Sequence, residues 1–122
     1  MAAVNIAFNT PDNGTGNTPS RDRPIDLVHL ARQTMGDKAL EAEVLNMFAR
    51  QARSCLHEIS CEDNKRTVEA AHRLKGAASA VGAFKVSQAA ADLESRCSDA
   101  AAIAAVGAAV IEAENFILKL SR

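Results

Sequence analysis

Thr67-Val68-Glu69-Ala70-Ala71-His72-Arg73-Leu74-Lys75-Gly76-Ala77-Ala78-Ser79-Ala80-Val81 separates into two faces when wound at about 100° per residue. Thr67, Ala70, Leu74, Ala77, Ala78 and Val81 gather on one side as a narrow, mostly small-residue seam suited to packing on other helices. His72 falls on the opposite side and should project into solvent. Lys75, Gly76 and Ser79 follow it by three, four and seven residues, so the four share one stripe. The helix is expected from about Lys65 to Val81, with capping side chains between Ser60 and Asn64 and Gly82 to stop or bend it.

The flanking sequence repeats the helical pattern. Upstream, Leu40, Val44, Met47, Phe48, Gln51, Ala52, Cys55, Leu56 and Ile59 recur at steps of three and four over a helix of roughly 20 residues. A shorter helix should open around Pro24, with Asp22 before it and Asp26 in its first turn, and end near Gly36, burying Ile25, Val28 and Leu30. Downstream, Val86, Ala89, Ala90, Leu93 and Cys97 mark a fourth helix. Ser98 and Asp99 can cap a fifth, with a stripe of Ile103, Val106, Val110, Ala113, Ile117 and Leu120. Short connections between long helices predict an all-α chain: an up-down antiparallel four-helix bundle with a short additional N-terminal helix, over residues 23–122. Residues 1–22, rich in the turn formers Asn9 to Pro19, read as a flexible N-terminal tail.

Composition agrees with helices. The chain has 122 residues, enough for one core, is 48% hydrophobic, and has no Trp, no Tyr and only four Phe. Fourteen basic against fifteen acidic residues give a net charge of -1, which offers no general attraction to nucleic acid or anionic membrane. Cys55, Cys61 and Cys97 are odd in number and lack CxxC spacing, so neither a disulfide framework nor a metal site is expected. No leader is expected, nor an apolar run approaching the ~18 residues of a membrane span, so the sequence reads as cytoplasmic.

The stripe around His72 carries specific chemistry. Imidazole is nucleophilic near neutral pH without prior deprotonation and serves as a covalent carrier. An ammonium one turn away can approach the oxygens of a phosphoryl group held there. Gly76 costs about 0.8 to 1.0 kcal/mol in a helix interior relative to Ala, which points to room for a partner's active site beside the ring. His72-Arg73-Leu74-Lys75-Gly76-Ala77-Ala78-Ser79-Ala80-Val81-Gly82-Ala83 resembles the H-x-L-K-G-x-A-x-x-x-G-A signature of histidine-containing phosphotransfer domains, and the expected helices follow that family's bundle from about 24 to 121.

That resemblance implies a phosphorelay intermediate. His72 would be phosphorylated, Lys75 would assist the phosphoryl group, and Gly76 would keep the site open. Glu94, 22 residues after His72, stands where family members place a Gln or Glu that bonds the second ring nitrogen; an ordinary surface acid would fit the same spacing. The partners implied are response-regulator receiver domains and a hybrid histidine kinase, and the protein would act as a monomer without a cofactor. Any assisting divalent ion would belong to the receiver. Val68, one turn before His72, is the first choice for an exposed docking contact, extended by Ala71, Ser79 and Phe84 with Arg73 on the edge.

Other readings make different predictions. A lone surface His is ordinarily a solvated side chain, and His29 and His57, which lack such companions, are expected to be structural or surface residues. A non-catalytic bundle could bind a receiver without accepting phosphate. A hydrolase built on His72 and Glu94 lacks an adjacent nucleophile and an oxyanion site. Without a G-x-x-x-x-G-K-[ST] loop, no autonomous kinase activity is expected.

Overall fold

The structure, a computed structural model, describes residues 23–59 and 62–121. It contains α1 (Leu27–Thr34), α2 (Lys38–Glu58), α3 (Asn64–Val81), α4 (Phe84–Ser95) and α5 (Ala100–Leu120), with no strand among the described residues. The tail over 1–22, Ser60 and Cys61 lie outside them.

An aspartate opens four of these helices, its carboxylate accepting from orphan N–H groups of the first turn. Asp26 accepts from Val28 (3.0 Å) and His29 (3.2 Å), Asp37 from Leu40 (3.1 Å), Asp63 from Arg66 (3.0 Å) and Asp99 from Ala101 (2.9 Å). Because Asp26 is the cap and not a first-turn residue, α1 starts at Leu27, three residues later than Pro24 suggested, and Val28 turns outward. α4 has no side-chain cap; it follows α3 through Gly82 and Ala83 alone.

Gly82 is required at that corner. Its φ of 84° is left-handed, and a Cβ there would stand 2.9 Å from the Asp26 carbonyl oxygen. The close approach lets the Asp26 N–H donate to the Gly82 carbonyl (2.8 Å), which fastens the start of α1 to the α3–α4 turn. His29 completes the fastening, its Nε2 lying 3.2 Å from the Ala80 carbonyl and its ring edge-on to Phe84.

α2, α3, α4 and α5 each pack on two neighbours in a closed cycle, α3 with α4 most extensively, and α1 covers one end against α2 and α3. The buried faces of α3 and α4 are built mostly from small side chains: Ala70, Ala71, Ala78 and Ala90 have no exposed surface, with Leu74 and Leu93 as the bulk. α2 contributes Leu45, Phe48, Ala52 and Cys55, and α5 contributes Ala102, Val106, Val110, Ala113 and Ile117.

Two expected stripes are out of phase at their edges. Leu40 and Met47 are exposed, while Leu45 takes the inward position; Leu120 lies in the final turn and is also exposed. The expectation that no segment approaches membrane-span length is corrected by α5. It has 21 residues and includes a stretch of mean hydropathy 1.7, long and apolar enough to cross a bilayer. Here the Asp99 cap and the buried Val106, Val110 and Ile117 seat it in the bundle.

Candidate functional site

His72 lies in the middle of α3, opposite the buried Leu74 and Ala78, with its side chain 69% exposed. α4 runs back along α3 so that Glu94 reaches the ring: its Oε2 is 3.0 Å from His72 Nδ1. The other carboxylate oxygen, shielded from solvent, faces the Lys75 ammonium at 2.6 Å. One carboxylate therefore bridges an imidazole and an ammonium, both from α3.

The Lys75 ammonium holds the Glu94 carboxyl below the usual carboxylate range; partial burial opposes this, and the contact with His72 reinforces it. Glu94 is thus an anion whenever the protein is near neutral pH. An anion on Nδ1 favours the tautomer with hydrogen on Nδ1 and leaves the Nε2 lone pair directed outward.

Gly76 adds space to this arrangement. A Cβ built on it would meet no atom within 4 Å, so nothing in the bundle demands a glycine there. Ser79 turns to α4, where its Oγ is 2.7 Å from Ser87 Oγ, and the Ser87 hydroxyl donates to the Lys75 carbonyl (3.3 Å).

The candidate docking residues divide. Val68 is half-buried, not freely exposed, and lines a shallow hollow with Glu69, His72, Arg73 and Glu94. Ala71 has no exposed surface and lies in the α3–α4 seam, which removes it from any surface patch. Arg73 pairs with Glu58, which also draws Arg66 to 3.9 Å. Phe84 is exposed, but it packs on His29 at the opposite end of α4, ten residues and about 15 Å of helix from Glu94.

Of the other thiols and imidazoles, Cys55 is in the core, where burial pushes its pKa up against the opposing effect of Arg73. Cys97 lies past the end of α4, and His57 is solvent-exposed. Among the described residues no group of three or more His, Cys, Asp or Glu could hold a metal ion.

Sequence reasoning overlooked two residues near the site. Glu58 is the partner of Arg73, and Ser87 is the hook beneath Lys75. Ser87 precedes Glu94 by seven residues, as His72 precedes Ser79, and that matched spacing was the available signal.

A family model for the Hpt domain matches residues 43–119, from the first turns of α2 to the last of α5. No curated protein and no solved structure matches the chain significantly.

Proposed function

The chain belongs to the Hpt domain family, and from that premise we propose that it is a phosphorelay intermediate carrying a phosphoryl group on His72 between receiver domains. The observation that supports this most directly is the Glu94 carboxylate 3.0 Å from Nδ1 of a ring that is otherwise open to solvent.

The chemistry closes without an added proton acceptor. The Nε2 lone pair attacks the phosphorus of a receiver's aspartyl phosphate in line, the P–N bond forms, and the P–O bond to the aspartate breaks. The aspartate leaves with the bonding electrons as a carboxylate. The ring, retaining hydrogen on Nδ1, becomes an N-phosphorylated imidazolium whose positive charge is met by Glu94. Lys75, three residues on, exchanges part of its contact with Glu94 for the incoming phosphoryl oxygens. Transfer to a second receiver reverses each bond change. The open space beside Gly76 admits the receiver's aspartate to the ring.

Val68 and Arg73 border the hollow at the ring and serve as receiver contacts, with Ser79 at the edge of the same face. Phe84, at the far end of α4, marks the outer limit of that face. A cytoplasmic monomer served by a hybrid histidine kinase completes the proposal. Incubation with a phosphorylated receiver domain should move acid-labile label onto the protein. A His72→Gln variant that accepts label as well as the parent would refute the assignment, and one that loses labelling but keeps signalling output would favour a purely binding role.

A further inference from the structure

We propose that Ser79 and Ser87 form a register lock that positions Glu94 on His72, a role that rests on the phosphocarrier reading of the site. Two polar pairs between α3 and α4 form rungs of one antiparallel ladder: Ser79 to Ser87, and His72 to Glu94. Ser79 follows His72 by seven residues and Glu94 follows Ser87 by seven, so the rungs are two turns apart on both helices. The same α3 residue is tied at both places. Lys75 gives its carbonyl to Ser87 (3.3 Å) and its ammonium to Glu94 (2.6 Å). A hydroxyl has one proton to donate, and Ser87 uses it on that carbonyl, so Ser79 donates to Ser87 at 2.7 Å.

The seam supplies the reason for such a lock. The buried alanines Ala71, Ala78 and Ala90 let the helices come close beside Leu74 and Leu93, but small side chains interdigitate shallowly and specify register weakly. Polar pairs in a helix interface commonly supply that specification. α4 has 12 residues and no side-chain cap at its start, and Ser87, one turn in, ties it to the α3 backbone. A slip of one residue moves a side chain about 1.5 Å along the axis and turns it by about 100°, enough to end a 3.0 Å contact. Ser79 and Ser87 are therefore positioning residues that act on the imidazole through Glu94.

The test compares the full chain with Ser87→Ala, Ser79→Ala/Ser87→Ala, Ser87→Thr and Glu94→Ala. Two readouts are taken: the 15N resonances of the His72 ring, which report the tautomer, and the rate of transfer from a phosphorylated receiver domain. Ser87→Ala should move the ring resonances part of the way toward those of Glu94→Ala and slow transfer about three- to tenfold, with the double variant no worse. Ser87→Thr, which keeps the hydroxyl, should restore both. Resonances that move in Glu94→Ala but stay fixed in Ser87→Ala would overturn the lock while leaving the role of Glu94 intact. Resonances unmoved by Glu94→Ala would overturn the orienting role, and the lock with it.

Discussion

Replacing Gly76 by alanine should make the protein more stable and a poorer phosphoryl acceptor. The position is inside α3, where glycine costs about 0.8 to 1.0 kcal/mol relative to alanine. The added methyl meets no atom within 4 Å, so no packing penalty offsets the gain. For a bundle of this size, that corresponds to a rise in Tm of roughly 3 to 8 °C. The methyl stands one turn from His72 on the same stripe, with Cβ atoms about 5 to 6 Å apart, and narrows the approach to the ring. Leucine at the same site extends over the imidazole and should abolish transfer while the helix stays intact. Thermal unfolding followed by circular dichroism gives the first quantity, and label transfer from a phosphorylated receiver gives the second. A lower Tm for Gly76→Ala would refute the open-space reasoning, and full-rate transfer to Gly76→Leu would refute the access argument.

The same substitution at the other end of α3 should act in the opposite direction: Gly82→Ala, at φ 84° and 2.9 Å from the Asp26 carbonyl oxygen, should cost more than about 1 kcal/mol in denaturant unfolding. Lys75→Ala should slow label transfer and change unfolding stability by less than about 0.5 kcal/mol, since a partly exposed ion pair contributes little. Leu74→Ala, at a side chain with no exposed surface, should cost about 2 to 5 kcal/mol in the same unfolding measurement. The pKa of Glu94 is lowered on folding, so its contribution is fully present above the ordinary carboxylate pKa and is lost as pH falls through its depressed value. The stability difference between the parent and Glu94→Gln should thus shrink as pH falls below about 4, as read from urea unfolding at each pH.

The fold was legible because its signals are local. Three- and four-residue steps give helices, and Asp63 and Asp99 stand where caps were expected. Phase was harder to read where apolar side chains exceed what a core accepts, as in α2, where Leu45 and not Leu40 or Met47 points inward. Alanine carries almost no phase information, which is how buried Ala71 passed for a surface residue and how the apolar length of α5 escaped notice. At the site, sequence brought His72, Lys75 and Gly76 onto one stripe because all three lie on one helix. Glu94 could be matched by spacing alone, since its approach depends on how α4 lies against α3. The pairing of Lys75 with Glu94 and the hook at Ser87 depend on side chains crossing between helices, which no single-helix projection displays.

The alanine seam between α3 and α4 has a consequence for transplanting this chemistry. A glutamate side chain is short, and it reaches His72 across helices whose buried faces are largely alanine. Enlarging Ala71 or Ala90 would spread the helices and withdraw the carboxylate without altering any residue that touches the ring. Grafting His72, Lys75, Gly76 and Glu94 onto a leucine-lined bundle would reproduce the constellation on paper and lose the contact in space. The inheritable unit of this site is the spacing of two helix axes, encoded by side chains that are nearly absent.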